Sequence, residues 1–232
     1  MEYEYIMKKI YYISLIILLL VFVTQGWAAD KIALALKARG DTGLKRADEE
    51  NYKVGIKPGT SLFDQDHIRT GEDGYAVLVF LDDKSQIKIR ENSEMTVSGT
   101  RTTESISKQI AMQVGTLKAE VSPQRKGEFI IATPTSVASV KGTVFWVMSD
   151  PVMGDVFYGM SGSIEVTNNE SGAVVTIGAN ETGTSTPDGQ LTVETTQQGA
   201  APEDEDDDGT SNILRIQLQN PQGDIKELKI EY

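Results

Sequence analysis

The sequence predicts an all-β fold, a sandwich, a roll or a short solenoid, on three observations. Short runs alternating between apolar and polar residues recur along the middle of the chain, Gly or Asn separates most of them, and few helical patterns interrupt them. Tyr75 to Leu81 is an apolar run too short for a typical helix and bounded by Gly71-Glu72-Asp73-Gly74 and Asp82-Asp83, which marks a buried strand. Gln86 to Arg90, Glu94 to Ser98, Thr116 to Val121, Ser163 to Thr167 and Ala173 to Ile177 alternate, so each shows one face to a core and the other to water.

Ahead of these strands lies an address. Met7-Lys8-Lys9 is a short positive region, and the apolar run Ile10 to Val23 is 14 residues long. A bilayer-spanning helix needs about 20 residues, whereas a secretory signal needs about 7 to 15 followed by small residues. Gly26-Trp27-Ala28 supplies them, so cleavage is expected between Ala28 and Ala29. The protein is therefore expected in a periplasm or outside the cell; the alternative is an uncleaved anchor, the one case that brings it to a membrane.

Three segments, Val114-Gly115-Thr116-Leu117, Val140-Lys141-Gly142-Thr143-Val144 and Met160-Ser161-Gly162-Ser163-Ile164, place Gly and a hydroxyl residue before an apolar strand. Their glycines lie 27 and 20 residues apart, unequal periods that argue against a strict repeat array. They read as successive hairpin starts, where Gly accepts the angles of a turn or bulge.

Over residues 54–147 the chain resembles the FecR domain, an extracytoplasmic bacterial module. The resemblance rests on Asp66-His67-Ile68-Arg69-Thr70-Gly71, on Ala76 to Ser85, and above all on Phe129 to Val147, a strand ending in Thr133-Pro134 followed by Val140-Lys141-Gly142-Thr143 and Phe145. Weaker likeness extends it to roughly residues 38–180. Two departures stand out: Gln65 precedes Asp66 and Lys84 follows Asp83 where the family usually has Gly, so one turn asks Lys84 to hold an angle that Gly accepts freely. The resemblance implies binding, sensing or an architectural role in the envelope, with an unidentified envelope protein or glycan as partner. The founding members carry a cytoplasmic segment that handles a sigma factor; with nine residues before the apolar run, no direct sigma-factor contact is expected here.

The motif residues Thr133, Pro134, Val140, Lys141, Gly142, Thr143 and Phe145 read as mainly structural. Pro134 removes a backbone donor and pushes Thr133 into extended geometry, which ends a ladder. Alternation puts Phe145 and Val147 on one face and Val144 and Trp146 on the other. Both faces are apolar, so this is a core strand, with Trp146 the candidate partner contact.

Composition narrows the function classes. Thirty-four acids against 22 bases give a net charge of −12, which disfavours nucleic acid. With no cysteine and one histidine, disulfides, thiolate catalysis and zinc-finger sites are excluded, and no cofactor is expected. His67 has no companions of its type and receives no role. No Gly-x-Ser-x-Gly elbow, His-Glu-x-x-His or phosphate loop appears. Asp82-Asp83 is the natural carboxylate pair for a carbohydrate-active enzyme, but turn chemistry explains it better, and no enzymatic activity is expected. A cell-surface lectin or glycosidase stays as the alternative class.

Glu203 to Asp208 supplies six negative charges. Asp204, Asp206 and Asp208 before Gly209 resemble the opening of a calcium loop, yet the twelfth position from Asp204 is Arg215 where an EF-hand needs Glu. The run reads instead as solvated linker continuing the Thr/Gln/Gly-rich stretch before it. Ile213 to Gln219 and Ile225 to Glu231, joined by Asn220-Pro221-Gln222-Gly223-Asp224, form a hairpin signal. The expected organisation is thus a signal over 1–28, a β-domain over 29–183, a linker over 184–212 and a hairpin over 213–232.

Overall fold

The computed structural model describes residues 30–204 apart from 125 and 126, the backbone of 213–219 and 225–231, and residues 3, 4 and 7. The apolar run, the cleavage site, Asp206 and Asp208 lie outside the described residues. Among those described, no helix is long and apolar enough to cross a membrane.

Strands dominate residues 30–204. The first eight are β1 (Lys31–Arg39), β2 (Thr42–Lys45), β3 (Lys53–Val54), β4 (Ser61–Phe63), β5 (Asp66–Thr70), β6 (Tyr75–Phe80), β7 (Gln86–Ile89) and β8 (Glu94–Arg101). The long β9 (Ile106–Glu120) follows, then β10 (Phe129–Ala132), β11 (Ser136–Val140), β12 (Val144–Asp150) and β13 (Gly154–Ser161). Next come β14 (Ser163–Asn168), β15 (Val174–Gly178), β16 (Glu181–Ser185) and β17 (Leu191–Thr195), and the tail carries β18 (Ile213–Gln219) and β19 (Ile225–Glu231).

The first seventeen strands form one hydrogen-bonded network that folds on itself at β9. The first half of β9 pairs with β8 and, in parallel, with β10; its second half pairs antiparallel with β7 and β12. Two layers result. Layer A runs β4-β1-β6-β7-β9-β12-β13-β16-β17 and layer B runs β3-β2-β5-β8-β9-β10-β11-β14-β15. Their facing sides share one core in which Leu78, Phe80, Ile87, Ile89, Leu117, Phe145 and Phe157 of layer A meet Ile68, Val97, Ile110, Phe129, Ile131, Val140 and Val166 of layer B. The all-β expectation therefore stands as a two-layered sandwich, and the alternating strands set its inner and outer faces.

The crossing point explains Gly115. It lies inside β9 with φ of 120°, where a Cβ would sit 2.2 Å from the Ser93 hydroxyl. That hydroxyl accepts the Thr116 amide at 3.0 Å, supplying the partner that the strand loses as it changes layer. Gly115 is thus a bend within one long strand, where the sequence suggested a hairpin start.

Layer A also continues into the stretch expected to be linker. The strands β16 and β17 pair from Glu181↔Thr195 to Ser185↔Leu191. Strand β17 is mostly exposed and held by backbone pairing at a sheet edge, with Leu191 packed against the core. In the tail, β18 and β19 pair antiparallel from Ile213↔Glu231 to Gln219↔Ile225, as the hairpin signal indicated.

Candidate functional site

The outer face of layer A is the chemically distinctive surface. Strand β6 is buried along its whole length because both of its faces are covered. Ala76, Leu78 and Phe80 enter the core, while Tyr75, Val77 and Val79 join Leu34 and Leu36 of β1 in a second apolar cluster on the other side. The face turns cationic one strand further on. Because Ile87, Ile89, Leu117 and Ala119 point inward, Lys88 and Lys118 must point outward, and the register sets them directly opposite each other. The same row continues to Trp146 and then Tyr158.

Two lysines in facing positions repel unless an anion lies between them. Glu120 is 3.3 Å from Lys88 Nζ and 3.0 Å from Lys118 Nζ, leaving one positive charge in excess. The tail supplies the second acid: Asp204 Oδ2 accepts from Lys88 Nζ at 2.8 Å and from Lys118 Nζ at 2.6 Å. Beside them Arg90 donates to the Glu203 carbonyl at 2.9 Å. Burial by itself would raise the Asp204 carboxyl, but the bonds from Lys118 and Lys88 outweigh it and hold the carboxyl down at about 2. Desolvation likewise opposes the charged form of Lys88, and the Asp204 bond reverses that effect, so its ammonium ends above its ordinary value. The two shifts agree in sign. Residues 203 and 204 therefore dock on the body rather than lying in solvent as the linker reading had it, and the Asp204 carboxylate that opened the weak calcium pattern is committed to lysines.

Trp146 sits in this row on the outer side of β12 and is 2 % exposed, with the Arg90 guanidinium 6.0 Å from its ring centroid. It is a covered side chain one register position from Lys118, not an open platform. The other motif residues take backbone and core positions. Val140 and Phe145 are in the core, Gly142 has φ of 122°, and Thr143 donates to the Ser163 carbonyl at 2.8 Å. The Pro134 carbonyl accepts from Asn169, Thr133 bonds across the core to Asp155, and Lys141 is exposed.

The paired carboxylates of the alternative reading converge on one cation. Lys108, whose side chain is fully buried, donates to Asp82 Oδ2 and Asp83 Oδ2, each at 2.8 Å. Burial would raise the Asp83 carboxyl; bonds from Lys108, Gln124 and the Ser85 amide prevail and lower it. A glycosidase acid needs the opposite shift. Along the outer face of layer B runs a groove of about 420 Å³ lined by Thr96, Ser98, Thr100, Ser107 and Gln109 among others, with no aromatic ring for a sugar to stack on. His67 shares a hydrogen bond with Thr96 at 2.9 Å. No cluster of three or more metal-ligating His, Cys, Asp or Glu occurs among the described residues.

Comparison with known proteins bears on the motif. Residues 66–160 match the family model described as FecR protein, from the start of β5 to the next-to-last residue of β13, which confirms the resemblance over that stretch. No curated protein matches the chain. Two solved structures of a "putative anti-sigma factor" from Parabacteroides distasonis are similar over 56 % of this chain at 18 % and 19 % identity, with TM-scores of 0.48 and 0.46. This chain spans 59 % of the length of those structures.

Proposed function

We propose that this chain, which carries a FecR domain over residues 66–160, is an exported, non-enzymatic binding module of the cell envelope that recognises an extended acidic peptide segment of a partner protein on the outer face of layer A. One observation carries the reading: Asp204, from a docked stretch of peptide, bridges two facing lysines beside a buried tryptophan. The tail thereby displays in cis the chemistry that the face accepts, a carboxylate on a chain whose carbonyl meets Arg90. The FecR match supports an envelope or signalling setting, and the sequence before Asp30 supports export. The state of Asp82 and Asp83 on Lys108, and the absence of an aromatic ring from the layer B groove, weigh against a glycosidase or lectin.

The test uses the full chain with Asp204→Asn, which weakens the cis contact, and a synthetic peptide of residues 198–208. The second tryptophan, Trp27, precedes the expected cleavage site, so the test is read on the mature chain, where Trp146 is the reporter of the row. Saturable binding by the variant, weakened by added salt and abolished by Lys118→Gln, is the expected result. A variant that binds neither this peptide nor any other acidic peptide removes the reading. Export is checked separately by the mature N-terminus, expected at Ala29.

A further inference from the structure

At one end of the shared core the packing turns polar. In layer A, Ser149, Asp155 and Ser185 stand in one register row on the inward side of β12, β13 and β16. In layer B, Ser136 faces Asn168 across β11 and β14, and Thr133 lies just before β11. Two side-chain pairs tie the layers together: Thr133 Oγ1 donates to Asp155 Oδ2 at 2.6 Å, and Asn168 Nδ2 donates to Ser185 Oγ at 2.8 Å. Every one of these residues is buried, with Asp155 at 1 % exposure.

The donors and acceptors do not balance. Asp155 Oδ1, Ser136 Oγ and Ser149 Oγ are buried with no hydrogen-bond partner. No Lys, Arg or His among the described residues forms an ion pair with Asp155. A buried carboxylate is strongly disfavoured unless it is paired or coordinates a metal. Buried water would satisfy the hydroxyls, but it brings no charge. The available donors are all hard oxygens, the type that binds alkali and alkaline-earth cations. With a single carboxylate, a monovalent cation gives a neutral buried site, whereas a divalent one leaves a net positive charge in the core.

We propose that Asp155, with the hydroxyls of Ser136 and Ser149, binds a monovalent cation such as sodium between the two layers. The site is structural: it locks the family's Thr133-Pro134 corner, through Thr133 Oγ1, to β13. It is independent of the tail and its lysines.

The experiment is the melting temperature of the full chain as choline chloride is replaced by sodium or potassium chloride at constant ionic strength. The wild type is expected to rise saturably, by about 5–10 °C at a hundredfold excess over the dissociation constant. Asp155→Asn is expected to abolish the dependence. The pair Ser136→Ala and Ser149→Ala keeps the charge and is expected to raise the half-saturating concentration at least about tenfold; it carries the test if Asp155→Asn does not fold. A melting temperature indifferent to the monovalent cation, meaning that water alone fills the site, overturns the proposal. So does an unchanged response in Asp155→Asn or in the serine pair.

Discussion

Two departures from the FecR pattern can be weighed at single positions. Gln65 and Lys84, which stand where the family usually has Gly, both have φ of 63°. The turns keep the left-handed geometry and carry its strain, about 1–2 kcal/mol for a residue with a Cβ. Gln65 recovers part of that through its bond to Ser98 at 2.9 Å. Lys84 is exposed, and an exposed charge contact is worth little. Lys84→Gly should therefore stabilise the chain by roughly 0.5–1 kcal/mol after the added flexibility of the unfolded state. Urea unfolding checks this, and an unchanged or lower midpoint contradicts it. Gly115→Ala should act in the opposite direction. The new Cβ meets the Ser93 side chain at 2.2 Å and 2.4 Å at an angle foreign to alanine, so a loss of roughly 3 kcal/mol is expected from the same measurement.

Strands were legible where each had a dry face and a wet face. Gln86 to Ile89 and Ser163 to Thr167 alternate in burial as they alternate in sequence. Other features escaped. Strand β1, Lys31–Arg39, is buried from Ile32 to Leu36 and shows no alternation because the second apolar cluster covers its outer side. The upstream half of β9 reads Ile106, Lys108, Ile110, Met112 on its inner side, so a lysine breaks the apolar pattern at an interior position. Lys108 is tolerated there only because the β6–β7 turn delivers two carboxylates to it. Lys108→Met removes the cation and strands both acids. The expected loss is roughly 3 kcal/mol, toward the low end for a broken buried pair because Asp82 and Asp83 still reach solvent at 14 % and 19 %. Combining Lys108→Met with Asp82→Asn and Asp83→Asn should restore much of that loss in thermal unfolding. Additive losses would mean that the residues do not act as one unit. The candidate site escaped for another reason. Lys88 and Lys118 are 30 residues apart and Asp204 a further 86, and only the sheet register brings them together.

Across the whole molecule, pH should separate tail docking from folding. The Asp204 carboxyl is held at about 2 when docked, below its ordinary value of 3.8, so its contribution is complete above about 4 and is lost as pH falls toward 2. At the other extreme Lys88, raised by the same contact, loses its contribution only as pH rises past its shifted value. The acidic limb is therefore the informative one. Between pH 5 and 2.5, Trp146 fluorescence should change in the wild type as the Asp204 bond to Lys118 weakens, and Asp204→Asn should already show the low-pH signal at neutral pH. If both variant and wild type change together, the acid response belongs to the fold as a whole, and the cationic row loses its claim to be a separable recognition surface.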